Sequence, residues 1–197
     1  IDLNNLIYIK LNFRKNMKKL LFILIIVLFS SCSKALDNVE ENLNINFYGL
    51  TQDDIDQALI IHNNARSDVD VPNLKWSSSL SKDASEWAAI MANEERMYHS
   101  ENDSRPDQGE NLFYTTATDS LTSARNASQL WYEEIELYTY SPILSGENDF
   151  YEIGHYTQMV WRNTTEVGMA MAVSKSGKTF VVARYSPGGN YVGEYPY

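Results

Sequence analysis

Residues 154–163 (GHYTQMVWRN) are the most informative segment of the sequence. His155 lies between a glycine and a tyrosine, and the apolar pair Val160 and Trp161 follows. Trp161 is large enough to anchor the segment in a hydrophobic core, and Gly154 permits a tight path of the backbone beside the histidine. An imidazole can ligate a metal ion, transfer a proton or form a hydrogen-bonded pair near neutral pH. The segment therefore predicts a core-anchored histidine with one of these roles.

Length and composition predict one globular domain with a hydrophobic core. The chain has 197 residues, 44% of them hydrophobic, with 13 tyrosines and 4 tryptophans. Residues 1–32 carry five basic side chains and one acidic one, which leaves 11 basic and 25 acidic residues, a net charge of −14, in the remainder. Such a surface repels phosphate backbones, so nucleic acid is not expected as a partner. Cys32 is the single cysteine, so no intrachain disulfide can form.

The N-terminal residues predict a leader and a tether. Residues 17–32 begin with Met-Lys-Lys, continue through ten apolar residues and end at Ser-Ser-Cys, as a secretory signal peptide does. The apolar run is shorter than the roughly 20 residues that span a bilayer. The leader resembles a bacterial lipoprotein signal, with Cys32 as the lipidated first residue, and plain secretion is the alternative. Residues 1–16 precede the plausible start and are interpreted as non-native upstream sequence, and residues 33–49 as a polar tether.

Residues 50–197 carry the patterns of a domain with three helices. Side chains that can accept hydrogen bonds from the first turn mark where each helix begins. The expected N-caps are Thr51 for the first helix, Ser79 or Ser81 for the second, and Thr118 or Ser120 for the third. The third helix has an apolar stripe at helical spacing, formed by Leu121, Ala124, Ala127, Leu130, Trp131, Ile135 and Tyr138.

The remaining segments predict a small sheet and a long loop. Residues 72–76 and the segment around Glu110 are expected to be extended, and residues 140–153 to form a loop. Residues 167–173 and 179–186 are predicted strands, joined by a glycine-containing turn typical of a hairpin. Together these elements predict an α+β fold, a three-layer α-β-α sandwich around a small antiparallel sheet.

Several polar side chains on these elements are candidates for special roles. His62 and Arg66 are one helical turn apart and are interpreted as a structural tie to a neighbouring loop. Glu134 lies on the same side of the third helix as the apolar stripe, where a carboxylate needs a partner. Glu133 is expected in solvent, and Glu152 is the alternative to Glu134.

Several motifs resemble those of the CAP superfamily, which comprises cysteine-rich secretory proteins, antigen 5 and pathogenesis-related protein 1. The matching segments are residues 62–66 (HNNAR), 109–112 (GENL), 131–135 (WYEEI), 154–163 (GHYTQMVWRN) and 185–197. With the lipoprotein-like leader, the chain is similar to a bacterial lipoprotein-type member. The resemblance implies the same sandwich fold over residues 51–197. It also implies one cleft that unites His99, Glu110, Glu134 and His155, the four residues called the tetrad below.

Such a tetrad admits three interpretations. His99 and His155 can hold Zn²⁺ or another divalent cation at an open site, with Glu110 and Glu134 in the second shell of the metal. The four residues can instead form a structural polar network. They can also be a hydrolytic site in which the carboxylates act as acid and base. The sequence contains neither the HExxH nor the G-x-S-x-G motif of common hydrolases.

Two functions follow from these interpretations. The first is a non-enzymatic CAP domain in the cell envelope or outside the cell, held at the membrane only through a lipid anchor. Its partner would be a small apolar, sterol- or lipid-like ligand, as the resemblance implies, or a protein of the envelope or a host. The alternative is a metal-assisted hydrolase, acting on proteins or glycans, that uses the tetrad. Ser100 and Thr157 are hydroxyls near the histidines, but each would need a base as a contact.

Overall fold

The computed structural model describes residues 49–116 and 123–197. The leader with Cys32, the tether up to residue 48 and the expected N-caps Thr118 and Ser120 lie outside the described residues. The helices are α1 (Gln52–Ser67), α2 (Ser78–Glu94), α3 (Ser123–Glu133) and α4 (Phe150–Met159). The strands are β1 (Lys75–Trp76), β2 (Gly109–Thr115), β3 (Glu166–Val173) and β4 (Thr179–Ser186), and short 3-10 turns cover Asn102–Ser104 and Glu134–Leu137. No helix in the two described stretches combines the length and apolar composition needed to cross a bilayer.

The four strands form one sheet in the order β1-β3-β4-β2. The predicted hairpin of β3 and β4 is confirmed, and β2 adds antiparallel to β4. The expectation of a purely antiparallel sheet was wrong at one edge, because β1 runs parallel to β3. Asn63 of α1 explains this direction, since its side chain bonds both the backbone N–H and the carbonyl of Leu74 and so aligns the chain entering β1. A strand of two residues carries no periodicity from which its direction could be predicted.

Helices cover both faces of the sheet, which confirms the α-β-α sandwich. Along β4, Phe180 and Val182 pack with α2, whereas Val181 and Tyr185 point to the opposite face. That second face is covered by α1, α3 and α4. The alternation follows from the two-residue period of a strand, whose successive side chains point to opposite sides. Both sides of β4 are buried, so the strand lies at the centre of the molecule.

The starts of the helices agree only partly with the predicted caps. Thr51 caps α1 as expected, and its Oγ1 accepts a hydrogen bond from the Asp54 backbone at 3.1 Å. The second helix begins earlier than predicted, after Ser77, which makes no capping bond with its side chain. Ser81 therefore lies inside α2, where its hydroxyl donates to the Ser77 carbonyl. In the first described turn of α3 the buried carboxylate of Asp54 accepts hydrogen bonds from the backbone of residues 124 and 125, which joins this helix to α1.

The helix α4 was not predicted, because residues 140–153 were expected to be a loop. Asp149 caps α4 by accepting a hydrogen bond from the Tyr151 backbone at 3.0 Å. Gly154 in the middle of the helix lowers its intrinsic helical propensity and conceals the pattern.

In α3 the predicted apolar stripe is also only partly correct, since Trp131 is buried but Leu130 is 48% exposed.

Arg66 ties α1 to the turn that follows α4, as the structural interpretation of the pair His62 and Arg66 predicts. Its side chain is fully buried, and burial lowers its pKa to about 10, so the guanidinium stays charged at neutral pH. The charge is balanced by backbone carbonyl groups to which the guanidinium donates, those of Pro72, Met159, Trp161 and Thr164. A buried cation is tolerated because its donors are paired.

His62 is buried as a neutral imidazole between two partners. Its Nδ1 donates to the Ala58 carbonyl at 2.8 Å, so Nε2 is the acceptor for the Tyr185 hydroxyl, also at 2.8 Å. Asn111 donates in turn to the Tyr185 hydroxyl. Burial lowers the pKa of His62 to about 4, since the charged form would lose its hydration.

We expect Trp161→Ala to destabilise the domain by about 3–5 kcal/mol, because the indole is almost fully buried and its removal leaves a cavity. Thermal or chemical unfolding followed by circular dichroism measures the change. Tyr151→Ala is the matched control, since Tyr151 is 92% exposed. Equal midpoints for wild type and Trp161→Ala would contradict the assignment of Trp161 to the core.

Acidification is expected to destabilise the protein through His62. The unfolded state binds a proton at the ordinary histidine pKa of 6.5, whereas the folded state binds it only near pH 4. Stability is therefore present above pH 6.5 and lost as the pH falls towards 4, by up to about 1.4 kcal/mol per pH unit. In the His62→Gln variant this contribution disappears. Denaturant unfolding of both proteins at several pH values tests it, and parallel curves would contradict the prediction.

Candidate functional site

A cleft of about 320 Å³ opens at the start of β2. It is lined by residues of β2, of α4, of the loop after α2 and of the C-terminal tail: His99, Arg105, Gly109, Glu110, Asn111, Phe150, Tyr151, Gly154, His155, Gln158, Gly189 and Asn190. The lining contains three of the four tetrad residues, and Glu134 stands behind His155. The structure thus brings the four residues together as two adjoining histidine–glutamate pairs.

The first pair is His99 with Glu110. The His99 Nδ1 donates to Glu110 Oε1 at 2.7 Å, and the Ser100 backbone donates to the same oxygen at 3.0 Å. The other oxygen, Oε2, accepts the Ser100 hydroxyl at 2.9 Å and faces Arg184 Nη2 at 3.1 Å. Burial alone would raise the pKa of Glu110, but the His99 and Ser100 hydrogen bonds and the Arg184 charge together hold that pKa below its ordinary value. Glu110 is therefore a buried carboxylate with four donors.

The second pair is His155 with Glu134. The His155 Nδ1 donates to Glu134 Oε1 at 2.5 Å, while Oε2 accepts the backbone N–H groups of His155 and Tyr156 at 2.9 and 3.0 Å. The Trp131 ring stacks on the imidazole, with centroids 5.8 Å apart and planes inclined by 17°. Glu134 was chosen over Glu152 from its position on the predicted third helix. The structure ends α3 at Glu133 and places Glu134 in the 3-10 turn that follows, against His155, while Glu152 is exposed.

Both histidines use Nδ1 for a carboxylate, so Nε2 is the ring nitrogen that remains for a ligand. No hydrogen bond to either Nε2 is formed by the residues that the structure describes. A carboxylate on the far nitrogen fixes the tautomer and orientation of a metal-binding imidazole. The donor set therefore fits a divalent transition metal. Within residues 49–116 and 123–197 no cluster of three or more His, Cys, Asp or Glu side chains is placed to hold an ion, so further ligands would be water or a bound molecule.

Three further residues of the site were not singled out from the sequence, two in the cleft lining and one behind Glu110. Asn111 donates to the His155 carbonyl at 3.1 Å, and Gln158 accepts from the Gly189 backbone at 2.9 Å and so joins α4 to the tail. A side chain on Gly109 would overlap Gln158 Oε1, which explains the glycine at the start of β2. Arg184 is the third, opposite Glu110 in the register of β2 and β4. Asn111 and Gln158 lie inside the CAP-like motifs, and this position could have indicated them. Arg184 lies in a strand of mostly apolar residues, and no sequence pattern indicates a role for it.

The two hydroxyls considered as nucleophiles are committed elsewhere. The Ser100 hydroxyl donates to Glu110, and Thr157 Oγ1 donates to the Ile153 carbonyl at 3.0 Å. Neither hydroxyl contacts a histidine that could act as its base. A hydroxyl nucleophile needs such a contact, so this geometry does not support serine or threonine chemistry.

Comparisons with known proteins agree with the fold and the motifs. The family model described as the cysteine-rich secretory protein family (CAP) matches residues 59–185. Golgi-associated plant pathogenesis-related protein 1 of Homo sapiens is 34% identical over 140 residues, which cover 70% of this chain and 85% of that protein. The pathogenesis-related protein PR-1 type of Sambucus nigra is 34% identical over 150 residues, covering 76% and 86% of the two chains.

A solved structure of NaASP2 with Zn²⁺ is similar to this chain. The TM-score is 0.67 at 25% identity, and the match covers 77% of this chain and 88% of the other. The zinc ion belongs to the NaASP2 structure. For this chain the similarity supports the fold that carries the two histidine–glutamate pairs.

Proposed function

We propose that this chain, which belongs to the cysteine-rich secretory protein (CAP) family, acts outside the cytoplasm as a binding domain whose cleft holds a divalent metal ion between His99 and His155. The observation that carries the proposal is the pairing of both Nδ1 atoms with glutamates, which leaves two Nε2 atoms as ligands. A metal with two protein ligands keeps positions open for an oxygen or nitrogen of a partner molecule. Zn²⁺ fits imidazole ligands of this kind, and its presence in NaASP2 supports the choice.

A metal in the cleft favours a polar partner group, because an open coordination position takes an oxygen or nitrogen. The rest of the cleft lining combines polar side chains with Phe150 and Tyr151 and presents more apolar than polar surface. A tyrosine cluster, in which the Tyr140 ring packs on Tyr195 and Tyr197, is a second place for an apolar ligand. We therefore assign a polar group of an envelope or host molecule to the metal, and keep a sterol- or lipid-like ligand as a separate prediction for the apolar part of the cleft and the tyrosine cluster.

The alternative function is a metal-assisted hydrolase that uses the same tetrad. A bound metal would lower the pKa of a coordinated water and polarise a carbonyl. The carboxylates of Glu110 and Glu134, however, already accept hydrogen bonds from the histidines and from backbone N–H groups. A general base must instead reach a proton on the reacting group, so this arrangement favours binding over hydrolysis.

The Zn²⁺ affinity is expected to depend on both histidines. Calorimetric titration of the domain with Zn²⁺ near neutral pH should show binding, and His99→Ala or His155→Ala should abolish it. Glu134→Gln should weaken binding by roughly 10–100-fold, because the His155 imidazole loses its charged partner. Acidification should also weaken binding, since the neutral imidazole is the metal ligand.

Glu152→Gln is the matched control for Glu134→Gln, because Glu152 is exposed and lies on the same helix as His155. If the wild type takes up no Zn²⁺, or if both histidine variants bind as tightly as the wild type, the metal assignment is wrong and the pairs are structural. Release of product from peptide or glycan substrates by the metal-loaded wild type, lost in the histidine variants, would favour the hydrolase instead.

Cys32 is expected to anchor the protein outside the cytoplasm through its acyl chains. Each buried CH₂ contributes about 0.8 kcal/mol of membrane affinity, so two or more chains hold a protein firmly. Cys32→Ala should therefore release the domain from the membrane fraction or block processing, as fractionation and mass spectrometry of the N-terminus would show. A variant that stays with the membrane at the wild-type level would contradict lipidation.

A further inference from the structure

The two histidine–glutamate pairs differ in how the charge of the glutamate is balanced. The Glu110 side chain has no solvent exposure, whereas Glu134 is 17% exposed. Glu134 accepts two backbone N–H groups besides His155. Glu110 accepts the Ser100 backbone N–H and hydroxyl besides His99, and it also faces a buried cation, Arg184, whose side chain is only 5% exposed. The His99 side chain is 59% exposed. Arg184 is therefore the buried counter-charge of Glu110.

The position of Arg184 follows from the register of the sheet. Glu110 at the start of β2 lies directly opposite Arg184 on β4 in the antiparallel pair. Directly opposite residues point to the same face of a sheet, with Cβ atoms within about 5.5 Å. Arg184 Nη2 thus reaches Glu110 Oε2 at 3.1 Å while Oε1 faces His99. The arginine occupies one carboxylate oxygen and leaves the other to the histidine.

Arg184 differs from the other buried arginine of the domain. Arg66 donates to backbone carbonyls and so ties two segments together. Arg184 makes no such tie among the described residues: its Nε and Nη1 are buried without a hydrogen-bond partner, and its ion pair is with Glu110. Gln108 Oε1 is likewise buried without a partner. The guanidinium is therefore placed by its ion pair with Glu110 and not by a set of backbone contacts.

We propose that Arg184 is a positioning residue for His99, which acts by holding the buried Glu110 carboxylate in place so that His99 presents Nε2 to the cleft. The proposal deepens the metal-binding function, on which its consequence for affinity depends. Removal of one partner of a buried ion pair leaves an uncompensated charge, which a fold tolerates poorly. Without Arg184 the carboxylate is expected to turn towards solvent and lose its contact with His99. His155 should not depend on Arg184, because the ion pair of Arg184 is with Glu110 and Glu134 is bonded by the His155 ring and by two backbone N–H groups instead.

The histidine tautomers of the metal-free protein test this proposal. Long-range ¹H–¹⁵N NMR spectra at mildly alkaline pH show which ring nitrogen carries the proton. In the wild type both His99 and His155 should be single Nδ1–H tautomers. In Arg184→Met, His99 should become a mixture of tautomers while His155 stays unchanged, so one histidine is an internal control for the other. The Zn²⁺ dissociation constant of Arg184→Met should rise about tenfold.

A double variant separates the charge effect from a loss of fold. Arg184→Met with Glu110→Gln buries no ion, and the introduced amide can still accept from His99 Nδ1 and the Ser100 backbone while donating to the Ser100 hydroxyl. His99 should therefore recover its Nδ1–H tautomer. A folded Arg184→Met variant with an unchanged His99 tautomer would overturn the proposal, as would equal changes at both histidines. If Arg184→Met does not fold, the double variant decides: absence of the Nδ1–H tautomer of His99 in that variant overturns the positioning role of Arg184.

The two proposals fail in distinguishable ways. If the wild type binds no Zn²⁺ but the tautomer of His99 responds to Arg184 as stated, the metal-binding function is wrong and the positioning role stands. If Zn²⁺ binds and the tautomer does not respond, only the positioning role is wrong.

Discussion

The buried guanidinium of Arg66 joins α1 to the loop before β1 and to the end of α4. The last carbonyls of a helix have no partners within the helix, and Arg66 reaches the Met159 carbonyl at the end of α4 and the Trp161 carbonyl just beyond it. A cation is favoured at this end by the direction of the helix dipole. The contact joins α1 to α4 and so sets the position of His155 on that helix relative to the sheet. The same turn leads directly to Trp161, the largest of the fully buried side chains.

The cleft forms where the first residues of β2 point their side chains to both faces of the sheet. Successive residues of a strand point to opposite faces, and Glu110 and Asn111 are successive residues at the start of β2. Glu110 points to the face that carries α2, where it meets His99 and Arg184. Asn111 points to the other face and bonds the His155 carbonyl. The two histidines thus approach one sheet edge from opposite layers of the sandwich, which is why residues distant in sequence meet there.

Most of the fold and of the tetrad could be predicted from the sequence, and the exceptions have either local causes or partners distant in sequence. The β3–β4 hairpin follows from its alternating pattern and glycine turn, and Glu134 follows from its place beside the apolar side of α3. Two of the wrong predictions have local causes, since Gly154 conceals α4 and α2 starts after Ser77, a residue without a side-chain cap bond. The direction of β1 instead involves a partner distant in sequence, Asn63, which bonds the backbone of Leu74. Arg184 was missed for the same reason, because its partner Glu110 is on another strand and only the register of the sheet brings them together.

The C-terminal tail closes the domain without a disulfide. The Arg162 backbone donates to the Pro196 carbonyl at 2.7 Å, and Ile143 exchanges backbone hydrogen bonds with Gly193 and Glu194. A Cβ on Gly189 would stand 2.5 Å from the Trp161 ring, so the tail packs on the core through its bare backbone. Gly189 and its neighbour Asn190 also line the cleft. Because these residues close the core and form a wall of the site, the interactions that fold the tail also hold the cleft in shape.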